Sequence, residues 1–267
     1  MRAGMVLSAS PEICQAVEVE KASKAQAMSD TVIVIPARNE AMALGGVLQE
    51  IRKISMQVIV VDDASSDETS RVARENGAEV LSLVVQLGAW GATQTGLRYA
   101  LRLGAHTVIT LDADGQHEPA HIVDLLRPLH GGTADVVIGS CPMRVSALRR
   151  LAWNYFRWLT RLSMDDLTSG FRAYNRRAME ILASREATLL DYQDVGVLMI
   201  MRAKGLRVSE VAVEIGLRRS GVSRVFHSWW VVMRYMVETT VLCLANVGGQ
   251  TSVQKRDLEL KQPERTP

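Results

Sequence analysis

Cysteine is scarce in this chain and poorly spaced for any framework: Cys14, Cys141 and Cys243 are odd in number and no Cys-x-x-Cys occurs. That argues against a disulfide scaffold and a cysteine zinc site, and it fits a reducing compartment. Aromatic residues make up only 5% of the chain, and neither charge sign dominates, the formal net charge being +2 at pH 7. Such a balance gives no reason to expect a nucleic-acid partner. No sustained apolar stretch opens the sequence, and Glu12, Glu18 and Glu20 come too early for a secretory signal. Two phosphate-binding signatures are missing as well. Neither Gly-x-Gly-x-x-Gly after the first predicted strand nor Gly-Lys-Ser/Thr is present, which argues against a dinucleotide-binding dehydrogenase and a P-loop enzyme.

What the chain does have is enough apolar residue for one large core, 48% of 267 positions. From Asp30 onward, short runs rich in Val and Ile alternate with helical patterns. Strands are predicted at Thr31–Ile35, Gln57–Val61, Glu79–Val84, Thr107–Leu111 and Asp135–Ile138. Helices are predicted at Ala41–Ile54, after a capping box at Ser65-Ser66-Asp67-Glu68, and at Gly91–Leu103, Pro119–Leu129 and Asp191–Ala203. Pro119 suits a first helical turn, while Pro128 interrupts the pattern slightly. The alternation implies an α/β fold with a mostly parallel, doubly wound sheet and flanking helices, whose ligands collect at the carboxyl ends of the strands.

Acidic residues lie at three of those ends: Glu40 after the first strand, Asp62 and Asp63 after the second, Asp112 and Asp114 after the fourth. A single Asp there commonly caps the next helix. Three ends on one edge suggest more. Asp112 and Asp114, at i and i+2, point the same way at a strand end, so both can reach one hard cation. Without a backbone nest for phosphate, such a cation is the means of neutralising a bound diphosphate. Gln116 offers a third oxygen. His117 competes for that role because Mn²⁺ accepts imidazole, although a lone histidine in a turn is more often a cap or a surface group.

Four ordered segments, Ile35-Pro36-Ala37-Arg38-Asn39-Glu40, Val61-Asp62-Asp63-Ala64-Ser65, Leu111-Asp112-Ala113-Asp114-Gly115-Gln116-His117 and Asp166-Leu167-Thr168-Ser169-Gly170-Phe171-Arg172, resemble the motifs of family 2 glycosyltransferases. The nearest subgroup is the polyprenyl-phosphate, or dolichyl-phosphate, sugar transferases. The resemblance spans roughly Asp30 to Arg224. It implies a GT-A fold, a nucleoside diphosphate sugar donor, Mg²⁺ or Mn²⁺, and inversion at the anomeric carbon. By the same resemblance Pro36, Arg38 and Glu40 border the nucleotide, Asp62 or Asp63 contacts base or ribose, and Asp112, Asp114 and Gln116 surround the metal. A sugar nucleotidyltransferase would instead need a glycine-rich phosphate loop after the first strand. A non-catalytic relative would not need the four aspartates.

The acceptor is less sharply specified. A hydroxyl acceptor requires a carboxylate base, whereas a polyprenyl phosphate is already an anion and does not. Asp191 and Asp194 share one face at a predicted helix start and are candidate bases, or they simply favour the helix dipole. Arg149, Arg150, Arg218, Arg219 and Arg224 are candidates to hold an acceptor phosphate or an anionic membrane surface. Arg157 and Arg161 read as a solvated helix face. Arg172 is expected either to organise the acceptor side or to be a buried structural arginine. Cys141 stands where the subgroup has arginine, Gly196 and Leu198 fall where it has Gln-x-Glu, and Trp90 stands where it often has lysine. A glycan hydroxyl therefore remains the alternative acceptor.

Domain boundaries follow as expectations: a tail at 1–29, the glycosyltransferase domain at 30–224, an amphipathic helix at 225–247 and a polar tail at 248–267. Within His227–Val247, Arg234 and Glu238 form one polar stripe, so the segment suits a membrane surface better than a membrane span. The expected location is cytoplasmic, peripheral at the inner face of the plasma membrane.

Overall fold

The computed structural model describes residues 30–141, 169–188 and 195–214, together with positions 154, 155, 157, 164, 216, 237 and 240. Seven strands among them form one sheet: β1 (Thr31–Ala37), β2 (Gln57–Asp62), β3 (Glu79–Ser82), β4 (Thr107–Thr110), β5 (Val136–Ser140), β6 (Arg172–Asn175) and β7 (Val208–Ala212). Their order is β3-β2-β1-β4-β6-β5-β7. The helices are α1 (Ala41–Arg52), α2 (Thr69–Glu75), α3 (Gly88–Arg102), α4 (Ile122–His130), α5 (Arg176–Leu182), α6 (Arg185–Thr188) and α7 (Val195–Ala203).

β1, β2, β4 and β5 read as Val and Ile runs because the sheet is covered on both faces there. Alternation within β1 sorts the layers. Val32 and Val34 face Leu97 of α3, Met179 of α5 and Leu198 of α7, whereas Ile33 and Ile35 face Leu44 and Leu48 of α1 and Leu125 of α4. α3 lies so close to β1 that a Cβ on Gly96 would come within 2.3 Å of Val34 Cγ1. Pairs β1–β2, β1–β4, β2–β3 and β5–β7 are parallel, so the ends of β1, β2 and β4 open onto one edge.

β6 runs antiparallel to both β4 and β5. The sequence does not announce it, because Arg-Ala-Tyr-Asn lacks a β-branched run, and its central place with Arg172, Ala173 and Tyr174 all buried comes from context. β7 and the short helices α5 and α6 were likewise not anticipated. β3 stops at Ser82 instead of Val84, and Val84 and Val85 emerge into solvent. Pro119–His121 forms a 3₁₀ turn that leads into α4, with Pro128 inside the helix. The predicted capping box does not form: α2 begins at Thr69, whose amide is accepted by Asp67 Oδ1 at 3.0 Å, and the Ser65 hydroxyl is drawn to Asn39 instead.

No described helix is long and apolar enough to cross a membrane. Residues 1–29, Arg149, Arg150, Arg161, Asp191, Asp194, Arg218, Arg219, Arg224 and the 248–267 segment lie outside the described residues. So does the predicted 225–247 helix apart from Val237 and Thr240, which are helical. Cys141 is a free, half-buried thiol.

Candidate active site

The site is built from the loops at the carboxyl ends of β1, β2 and β4. The first two brace each other. Asn39 donates its amide to Ser65 Oγ at 2.9 Å and accepts the Ser66 amide on Oδ1 at 2.8 Å. Glu40 donates its amide to Thr69 Oγ1 at 2.9 Å, and Ala41 to Asp67 Oδ2 at 3.2 Å. Asn39 and Ala64 adopt left-handed backbone, with φ of 51° and 54°. That conformation is costly for Ala and here is held by the cross-bracing. Of the residues expected to border a nucleotide, Pro36 and Glu40 are half-buried and Arg38 is exposed on the rim.

Asp62 and Asp63 are both buried, and both organise their own loop. Asp62 Oδ1 accepts the Ser65 amide at 3.0 Å, and Oδ2 accepts the Ser70 hydroxyl. Asp63 accepts the amides of Leu87 and Gly88, so it closes the amino end of α3 and not that of α2, the next helix in the chain. This is why α3 starts three residues before the predicted Gly91.

After β4 the chain turns through Asp112, Asp114, Gln116 and His117. Asp114 is buried and accepts the Gln116 amide on Oδ1 at 3.0 Å, whereas the Asp112 side chain remains 43% exposed. Gln116 is half-buried, and its carbonyl accepts the Gly216 amide at 2.7 Å, which ties the turn to the chain after β7. His117 is buried rather than on the surface: its ring packs on Phe171 with centroids 5.1 Å apart, and Nε2 lies 3.6 Å from Asp112 Oδ2. Its Nδ1 is buried with no hydrogen-bond partner among the described residues.

Among the described residues, no three His, Cys, Asp or Glu side chains form a metal cage. Asp112 and Asp114 on one turn, with Gln116 two residues further on, instead suit a hard cation that leaves most of its coordination to other ligands. The donor set therefore fits Mg²⁺ or Mn²⁺.

Arg172 lies within β6, fully buried, with Nε donating to Ser169 O at 2.7 Å. Trp90 is buried and donates Nε1–H to Ala187 O at 2.6 Å, so the indole is part of the core and not a stacking platform. Arg157 hydrogen-bonds Asn154 one helical turn back. Leu198 is buried and Gly196 half-buried in α7. Sequence reasoning missed Thr110 and Gly170, which meet beside the Asp112 turn from β4 and from the approach to β6; Gly170 lies within the Thr-Ser-Gly-Phe-Arg motif, whereas Thr110 shows only as a strand residue before Leu111-Asp112.

Residues 32–187 match the model of Glycosyl transferase family 2. Polyprenol monophosphomannose synthase from Mycolicibacterium smegmatis is 30% identical over 216 residues, covering 73% of this chain and 80% of that protein. Undecaprenyl-phosphate mannosyltransferase from Micrococcus luteus is 30% identical over 201 residues, covering 68% of this chain and 80% of that protein. Among solved structures, glucosyl-3-phosphoglycerate synthase from Mycobacterium tuberculosis, in complex with Mn²⁺, uridine-diphosphate and phosphoglyceric acid, aligns with a TM-score of 0.66 at 19% identity. That alignment covers 92% of this chain and 84% of the other. The shared fold is of the GT-A type.

Proposed function

The chain belongs to glycosyl transferase family 2, and from that premise we propose that it transfers a hexose from a nucleoside diphosphate sugar to a polyprenyl phosphate, with Mg²⁺ or Mn²⁺ at Asp112 and Asp114. The observation that carries this reading is the Asp112-Ala113-Asp114 turn at the end of β4, set on the same sheet edge as the β1 and β2 loops. The polyprenyl and undecaprenyl phosphate chemistry in the names of two 30% identical relatives supports the acceptor.

When bound, the divalent cation stabilises the negative charge that develops on the departing nucleoside diphosphate. Asp112 and Asp114 hold it, and Gln116 contributes an amide oxygen. Pro36, Arg38 and Glu40 border the nucleotide, and Asp62 with Asp63 shape the pocket for base or ribose. A polyprenyl phosphate oxygen attacks the anomeric carbon from the face opposite the leaving group and inverts it. Because that oxygen is already anionic, no side chain has to remove a proton. Arg149, Arg150, Arg218, Arg219 and Arg224 attract the acceptor phosphate, and Arg172 acts through the Ser169 turn. The domain at 30–224 works from the inner face of the plasma membrane, with the 225–247 helix lying in the headgroup region.

Cys141, standing where the polyprenyl-phosphate subgroup has arginine, favours a second reading in which a glycan hydroxyl is the acceptor and Asp191 or Asp194 is the base. One experiment separates the two. Purified protein with MnCl₂ or MgCl₂ is incubated with radiolabelled nucleotide sugars, with and without short polyprenyl phosphates, and organic-phase label is followed by thin-layer chromatography. An acid-labile labelled lipid supports the polyprenyl-phosphate reading. Donor hydrolysis without labelled lipid moves the acceptor to a glycan, with Asp191→Asn and Asp194→Asn tested next for loss of kcat. Neither lipid product nor donor turnover with any sugar overturns both.

A further inference from the structure

Gly170 lies beside the end of β4, directly against Asp112. A Cβ at Gly170 would fall 2.3 Å from Asp112 Oδ1, 2.7 Å from Oδ2 and 2.8 Å from Cγ. The carboxylate therefore rests on backbone that only glycine leaves open. Two hydrogen bonds hold that backbone in place. Thr110 Oγ1, on the strand that leads to Asp112, donates to Gly170 O at 2.7 Å, and Arg172 Nε donates to Ser169 O at 2.7 Å. The next residue, Phe171, packs against His117, whose Nε2 faces Asp112 Oδ2 at 3.6 Å. One short segment thus supports Asp112 from below and also backs the histidine beside it.

We infer that Gly170 is a positioning residue for the cation site, clamped by Thr110 so that the Asp112 carboxylate keeps the orientation in which it shares a metal with Asp114. The inference rests on the assignment of Asp112 to the metal. A side chain at Gly170 drives the carboxylate off its rotamer, and cation ligands tolerate displacement poorly. The segment carrying Gly170, Phe171 and Arg172 then serves the metal side of the reaction.

The test is a titration of the whole chain with MnCl₂ alone, free Mn²⁺ being read by electron paramagnetic resonance, alongside thermal unfolding without metal. Gly170→Ala is expected to weaken Mn²⁺ binding about tenfold, as outer-shell changes do at metal sites. Its unfolding midpoint stays near wild type. In an Asp112→Ala background the same change is expected to add nothing, because its effect acts through that carboxylate. Thr110→Val is expected to weaken binding and Thr110→Ser to retain it. Wild-type Mn²⁺ affinity in Gly170→Ala, or an equal loss with and without Asp112, overturns the inference. If Gly170→Ala does not fold, the Thr110 pair decides, and equal affinities in the two variants overturn it. Unaltered binding in Asp112→Ala overturns the metal assignment and the inference together, whereas lost binding in Asp112→Ala with wild-type Gly170→Ala overturns only the inference.

Discussion

Asp63 accepts the backbone amide of Leu87 at 2.6 Å and that of Gly88 at 3.0 Å, so one carboxylate at the end of β2 closes the amino end of α3. Those amides have no partner within the helix, and the negative charge also favours the helix dipole. Asp63→Ala is expected to cost about 2 kcal/mol in urea unfolding, and Asp63→Asn, which keeps one acceptor oxygen, about half of that. Equal midpoints in the three proteins would mean that water replaces the carboxylate without loss.

Asp112→Ala and Asp114→Ala are each expected to lower metal-dependent turnover about a hundredfold or more, the scale of losing one electrostatic stabiliser of the transition state. Circular dichroism should stay native, because neither side chain contributes to an apolar cluster of the core. Normal turnover in both variants would remove the cation from this turn.

Asp135 is buried and receives Arg207 twice through its side chain and once through its backbone amide, at 3.1, 3.0 and 2.9 Å, with Asn175 adding a fourth bond. The Arg207 guanidinium holds the Asp135 carboxyl well below its usual value of 3.8. Because the folded value is depressed, this stabilisation is complete above the unfolded pKa and is lost as pH falls through the folded one. Asp135→Asn is therefore expected to destabilise by about 2 kcal/mol at pH 7, with the half-exposed Arg207 limiting the figure. The gap to wild type should shrink as the pH of the unfolding measurement falls below about 4. A gap independent of pH between 7 and 2 would assign the effect to packing.

Trp90, Gln94 and Arg98 lie on one face of α3 and bind, in turn, Ala187 O, the carbonyls of Leu182 and Ser184, and the Ala183 carbonyl. Trp90→Ala is expected to cost about 3–5 kcal/mol through the cavity it leaves. Trp90→Phe is expected to cost about 1–3 kcal/mol, because Ala187 O loses its donor. Thermal unfolding checks both, and a neutral Trp90→Phe would show that packing alone holds the indole.

Four of the predicted strands that the structure confirms, β1, β2, β4 and β5, share one trait: each carries a largely buried run of Val and Ile, so composition alone marks it. β6 has no such run. Its place between β4 and β5 depends on partners elsewhere in the chain, and its antiparallel direction leaves no trace in local pattern. Helix ends shifted for the same kind of reason. α3 starts early because of Asp63, and Ser65 does not cap α2 because Asn39 takes its hydroxyl.

By itself the sequence determined the strand–helix alternation and the placing of Asp62, Asp63, Asp112 and Asp114 at strand ends, since periodicity and i, i+2 geometry are local properties of the backbone. Tertiary structure alone decided what those carboxylates meet. Asp63 reaches α3, Asp112 rests on the bare Cα of Gly170, and His117 turns inward onto Phe171. Such contacts join residues distant in the chain: that of Asp63 exists only once α3 has packed beside β2, and those of Asp112 and His117 only once the sheet has brought β4 and β6 side by side.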